Sequence, residues 1–215
     1  MKTLIINGGT IEDVFALSYI ERVKPDCILA ADRGMEFCYR NQIKPDVILG
    51  DYDSADKTIL EAFRRQSGIE WHQYQPEKDY TDSEIAIGKA MERKSSEIHI
   101  LGGTGTRLDH VLGNIQLLMQ PLAKDIPCFL IDSHNRIRLL KERVVLRKSQ
   151  QFGKYVSLLP LTTEVTGVTL TGMKYPLQDA AFTSDNTLGV SNEIVADEAV
   201  IDLENGILIM IESRD

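Results

Sequence analysis

Two carboxylates two residues apart, Asp51 and Asp53, follow directly on the apolar run Val47-Ile48-Leu49 and on Gly50. A short apolar run that stops at glycine reads as a buried strand leaving its sheet, so both acids stand at a strand end. A second polar cluster, Lys78-Asp79-Tyr80-Thr81-Asp82, comes after the next strand-like segment. Hard oxygen ligands grouped at neighbouring strand ends suit Mg²⁺, which keeps several waters and shares a phosphate. If residues 51–53 are extended, both carboxylates point to one side. A competing reading has Asp51 and Ser54 only capping the helix that follows. Asp82 favours the metal, and its charge is equally suited to a helix N-terminus.

The third cluster is Gly102-Gly103-Thr104-Gly105-Thr106-Arg107. Successive backbone N–H groups in a glycine loop ahead of a helix make an anion site. Arg107 adds a bidentate phosphate donor. This is no Walker A loop, because no Gly-Lys-Ser/Thr follows. The dinucleotide fingerprint is also broken, since Leu108 stands where the last small residue belongs. A tight turn is the competing reading, and Arg107 with Asp109-His110 beside it weighs against that. His110 reads either as a base or ligand or as an ordinary hydrogen-bonded residue near a helix start. His72, His99 and His134 form no zinc spacing, and no nucleophile elbow occurs.

The elements that must position these clusters alternate. Strands are expected at 3–7, 26–31, 46–49, 70–74, 97–101 and 127–131. Helices are expected between them, the first capped by Thr10 with Ile11, Val14, Leu17 and Ile20 on its apolar face. Thr81 and Glu84 form a capping-box pattern before a helix from 82 to 94. Leu108, Val111, Leu112, Ile115, Leu118 and Met119 make one apolar stripe, closed by Pro121. The expected fold is α/β: a mostly parallel, Rossmann-like sheet with helices on both faces over residues 1–133. Such sheets bind ligands outside the carboxyl ends of their strands. Asp32, Asp51, Asp53, Asp82 and the glycine loop all map there. From 134 to 215 helical periodicity gives way to short β-rich runs, which predict a smaller all-β sandwich.

The 215 residues, 43% of them hydrophobic, suffice for one large or two small cores. A formal net charge of -8 weighs against nucleic acid and anionic membrane as partners. The three cysteines have neither metal nor redox spacing, and Cys27 and Cys128 fall in strand-like runs. A reducing, cytoplasmic setting fits, and no apolar run is long enough to span a membrane.

Together Asp32-Arg33-Gly34, Gly50-Asp51-Tyr52-Asp53-Ser54, Lys78-Asp79-Tyr80-Thr81-Asp82, Gly102 to His110, Leu170 to Leu177 and Gly189-Val190-Ser191-Asn192-Glu193 resemble bacterial thiamine pyrophosphokinases. The motifs run in family order across nearly the whole chain. The resemblance implies an N-terminal nucleotide-binding domain, a C-terminal thiamine-binding and dimerisation sandwich, and a homodimer with thiamine near the subunit interface. It implies Mg²⁺-dependent transfer of the diphosphoryl group of ATP to the hydroxyl of thiamine, giving thiamine diphosphate and AMP. By the same resemblance Asp51, Asp53 and Asp82 are the metal carboxylates, and Asp53, Asp82 and Arg107 are the catalytic groups. Asp32, Arg33, Gly102, Gly103, Thr104, Gly105 and Arg107 hold ATP. Asp79, Thr81, Asp109, Ser191 and Asn192 contact thiamine. Eukaryotic relatives place a tryptophan against thiamine, and the only tryptophan here is Trp71, in the fourth strand. The alternatives are a pyrophosphokinase for another hydroxymethyl heterocycle, such as a pterin, and a non-enzymatic nucleotide or thiamine sensor.

Overall fold

The computed structural model describes residues 1–53, 55–75 and 79–215; Ser54 and Lys78, named in the clusters above, lie outside them. The chain divides into two compact units, Met1–Ser133 and His134–Asp215. In the first, strands and helices alternate: β1 (Lys2–Ile6), α1 (Asp13–Val23), β2 (Cys27–Ala31), α2 (Gly34–Arg40), β3 (Val47–Gly50), α3 (Lys57–Arg64), β4 (Glu70–Gln73), α4 (Asp82–Glu92), β5 (Glu97–Leu101), α5 (Leu108–Leu117), α6 (Met119–Leu122) and β6 (Cys128–Ile131). The strands pair in parallel in the order β6-β5-β1-β2-β3-β4.

Ile5, Ile6, Leu29, Ala30, Val47, Ile48 and Leu49 are fully buried. That is the mark of a parallel sheet covered on both faces. Right-handed crossovers put α1 to α3 on one face and α4 to α6 on the other, and α2 touches α3 while α4 touches α5 and α6. Among the described residues no helix is long and apolar enough to cross a membrane.

Two helix faces differ from the sequence expectation. α1 begins at Asp13 rather than after Thr10, because the Thr10 N–H donates to the Thr104 carbonyl at 3.2 Å and residues 8–10 stay with the glycine loop. The side chains that α1 buries are Ala16 and Tyr19, whereas Val14 is 80% exposed and Leu17 also faces outward. In α5 the stripe is only half used. Ile115 and, just beyond, Leu118 are buried, while Leu108 is 72% and Leu112 61% exposed. The helix closes at Leu117, and Pro121 sits buried inside α6.

The second unit is all β: β7 (Asn135–Leu140), β8 (Val144–Arg147), β9 (Tyr155–Pro160), β10 (Glu164–Thr171), β11 (Leu177–Thr183), β12 (Asn192–Glu193), β13 (Glu198–Asp202) and β14 (Leu208–Ser213). The antiparallel orders are β12-β9-β14-β7 and β11-β10-β13-β8. The two layers share one core, with Val156, Leu158, Leu208 and Met210 from one and Val165, Leu170, Phe182 and Ile201 from the other. Strand β11 was not legible in the sequence: it is an edge strand, and Phe182 is its one fully buried apolar side chain. The one deeply buried carboxylate here, Glu212, is held by both ends of the Arg136 guanidinium at 2.7 and 2.8 Å and by the Phe152 N–H, as a buried charge requires.

Candidate active site

Register decides which residues can meet. Ile6 pairs with Leu101, Ala31 with Leu49 and Gly50 with Gln73, so the carboxyl ends of four strands and β4 finish at one edge. The strand order reverses between β1 and β5, which opens a crevice there. A cleft of about 760 Å³ occupies this edge.

Its floor is two loops bound backbone to backbone. The Asn7 N–H donates to the Leu101 carbonyl at 2.8 Å and the Gly9 N–H to the Gly102 carbonyl at 2.9 Å. No side chain fits between them: a Cβ on Gly9 would lie 2.3 Å from the Gly102 carbonyl oxygen. One on Gly102, whose φ is +69°, would lie 2.4 Å from that of Asn7. From α5, Asn114 Nδ2 donates to the Gly103 carbonyl at 2.7 Å and holds the loop from beneath. The N-cap residue of α5, Arg107, makes no side-chain cap hydrogen bond, which leaves donors of the first turn open to a ligand or to water.

The acids come from the next strands. Asp32, at the end of β2 with φ +49°, donates its N–H to the Leu49 carbonyl at 2.8 Å. Asp51 follows β3 and Asp82 opens α4, whose cap Thr81 accepts from the Glu84 N–H as the spacing predicts. Asp32, Asp51, Asp82 and Thr81 all line the cleft, with Arg33, Arg107 and Gly102 to Gly105.

Asp53 does not follow Asp51 into the cleft. Tyr52 has φ +64°, so the segment is not extended and successive side chains do not alternate as in a strand. Tyr52 turns its ring under the loop against Trp71, centroids 5.6 Å apart, and its hydroxyl reaches the Ile48 and His72 carbonyls at 3.1 and 2.9 Å. Burial pushes its phenol up to about 12. Trp71 is thus packed on Tyr52. Asp53 is exposed, and its N–H donates to Asp51 Oδ1 at 3.0 Å.

Asp79 is also exposed and outside the cleft lining. Asp109 lines a second cavity of about 430 Å³ between α4 and α5, with Thr81 and His110. Its carboxyl is held below its ordinary range by hydrogen bonding to Arg107, whose guanidinium is raised in turn. In the second unit, the Ser191 N–H donates to Ser157 Oγ. Asn192 is buried, its side chain bonded to the backbone of Tyr175 on both sides. His99 is buried in the middle of β5, between Tyr19 and Glu97. Asn7, Gly8, Gly9, Thr10, Ser83 and Asn114, none of them expected at the site from the sequence (Thr10 read only as a helix cap), also line the cleft.

Three aspartates and two arginines line the cleft, and Arg33 is already paired with Glu36, Arg107 with Asp109. A polyphosphate entering it needs a cation of its own. Among the described residues no three His, Cys, Asp or Glu side chains converge to cage a metal. Mg²⁺ needs only one or two carboxylates when phosphates and water complete its shell, and the cleft wall carries Asp51 and Asp82.

The family model described as thiamin pyrophosphokinase, catalytic domain, matches residues 22–130, and that for the vitamin B1 binding domain matches 141–208. A thiamine pyrophosphokinase of Bacillus subtilis is 36% identical over 190 residues, 87% of each chain. The crystal structure of thiamine pyrophosphokinase from Bacillus subtilis superposes with a TM-score of 0.88 at 31% identity, over all of both chains. That of Geobacillus thermodenitrificans gives 0.86 at 29%, over 100% of this chain and 98% of the other. On the matched domains and the shared fold alike, the chain belongs to the thiamin pyrophosphokinase family.

Proposed function

We propose that this chain transfers the diphosphoryl group of ATP to the hydroxyethyl oxygen of thiamine, giving thiamine diphosphate and AMP. The observation that carries the reading is a cleft in which Asp51 and Asp82 share walls with the Gly102–Gly105 loop, in a chain that matches a catalytic and a vitamin B1 binding domain. The thiamine oxygen attacks the β-phosphorus, the bond from that phosphorus to the α,β-bridging oxygen breaks, and AMP leaves with the bond pair. Asp51 and Asp82, with Asp53 turned in from the edge of the loop, would hold Mg²⁺, which would supply charge neutralisation for the polyphosphate. The chain's own work is positioning and electrostatics. The glycine-loop N–H groups and Arg107 offset charge on the phosphates. Asp32 and Arg33 complete the nucleotide side. Asp53 or Asp82 takes the hydroxyl proton.

Asp79, Thr81, Asp109, Ser191 and Asn192 are proposed for thiamine. The proposal includes a homodimer with thiamine near the subunit interface. Supporting it are apolar side chains left at the surface of both units: Leu108 and Leu112 in the first, Tyr175, Leu188, Val190 and Val195 in the second. A reducing, cytoplasmic setting fits three free, buried cysteines. The test is to incubate ATP, Mg²⁺ and thiamine and resolve the nucleotide products. AMP with thiamine diphosphate supports the proposal. ADP means monophosphoryl transfer, and tight binding without turnover means a sensor.

A further inference from the structure

Asn7 ends the approach of β1 to the cleft and is only 6% exposed. Its backbone N–H is bonded to Leu101 and its side-chain Nδ2 donates to Ser83 Oγ at 2.8 Å. Its Oδ1 is buried and has no hydrogen-bond partner among the described residues. Both Asn7 and Ser83 line the cleft. A buried amide oxygen without a partner is costly, and most such atoms in folded proteins are satisfied. The Leu101 bond holds the backbone of Asn7, and the Ser83 bond engages its Nδ2 end, leaving Oδ1 as the unused acceptor.

We propose that Asn7 is a further nucleotide-binding residue, whose Oδ1 accepts a hydrogen bond from a donor on bound ATP: a ribose hydroxyl or the adenine amino group. Ser83 is its positioning partner. The acceptor complements the rest of the cleft, where the N–H donors of the glycine loop would serve phosphate oxygens. It selects for the nucleoside end of the ligand, which inorganic polyphosphate lacks. The proposal rests on ATP as the substrate.

The test measures Mg–ATP affinity and melting temperature for wild type and Asn7→Leu, without thiamine. The expected result is roughly ten-fold weaker binding by the variant and an unliganded melting temperature equal to or above that of wild type, because the orphan oxygen is gone. Repeating the titration with 2′-deoxy-ATP, 3′-deoxy-ATP and ITP identifies the donor: the penalty vanishes with the analogue that lacks it. Equal affinities, or a penalty identical across all the analogues, overturn the proposal. A variant that melts lower but binds ATP normally also overturns it, since that marks a merely structural amide. Should Asn7→Leu fail to fold, Asn7→Ala carries the same comparison. Wild type that binds no ATP defeats the substrate reading itself, whatever Asn7 does.

Discussion

The Tyr52 hydroxyl lies 2.9 Å from the His72 carbonyl, tying the loop that carries Asp51 to the neighbouring strand β4. The same hydroxyl reaches back to Ile48 in β3. An aromatic anchor at positive φ thus sits between two acids and holds the first of them at the cleft.

Tyr52→Phe keeps the ring on Trp71 and removes the tie. Unfolding in urea should show a loss of about 1 kcal/mol. The Mg²⁺ concentration needed for half-maximal turnover should rise as the loop loosens. A variant with wild-type stability and metal dependence removes Tyr52 from the site's support.

The same phenol makes an alkaline prediction. Its folded-state pKa of about 12 exceeds the ordinary value of 10, so the folded protein keeps a proton that the unfolded chain gives up. That stabilisation is complete below pH 10 and fades between pH 10 and 12. Its size is on the order of 2 kcal/mol. Denaturation midpoints should therefore fall more steeply with pH for wild type than for Tyr52→Phe in that window, and parallel curves would contradict the assignment.

Asp51→Asn keeps an oxygen to accept the Asp53 N–H but loses the charge. Turnover should drop by roughly 10²-fold or more, with stability within about 0.5 kcal/mol of wild type. Asp53 lies outside the cleft lining and must turn in to act; on that reading Asp53→Asn should abolish turnover and leave the fold intact. Near-normal kinetics in the Asp53 variant would exclude it from the mechanism.

Arg107 must leave Asp109 to meet a phosphate. Arg107→Ala should raise the KM for ATP at least ten-fold, and Arg107→Lys should recover little of it because the bidentate fork is lost. Both partners are fully exposed, so melting temperatures should not move.

Gly9→Ala and Gly105→Ala separate packing from loop chemistry. The first puts a methyl 2.3 Å from the Gly102 carbonyl oxygen, whereas the second meets nothing nearer than Thr10 Oγ1 at 3.5 Å. Gly9→Ala should cost about 1–3 kcal/mol and ATP binding with it. Gly105→Ala should be close to neutral in stability. The comparison is read by thermal unfolding and nucleotide titration.

What the sequence told of this site was whatever depends on neighbours in the chain. The Gly102–Arg107 loop, the Thr81 cap and the Asp51 strand end are all encoded within a few residues. Asn7 read as the end of the first strand and Gly8-Gly9 as the turn after it, because their meaning comes from lying against Gly102, which only the sheet order supplies. Asp53 was expected beside Asp51, since nothing in Tyr52 announces a positive φ. The periodic stripe of α5 was real, but periodicity says that a face is apolar and not what covers it; Leu108 and Leu112 lie outside the core.

The pairing of β1 with β5 also dictates when the site can exist. Lys2 pairs with Glu97 and Ile6 with Leu101, so half the cleft floor is contributed by each end of a long loop in sequence. Contacts of such separation form late, after the loop-closure entropy has been met. A nascent chain that has emerged only through β4 lacks β5 and the Gly102–Gly105 loop, and with them half of the cleft. Ligand capture therefore reports on completed assembly of the first unit, and ATP can act as a late stabiliser during synthesis but never as a template for the early steps.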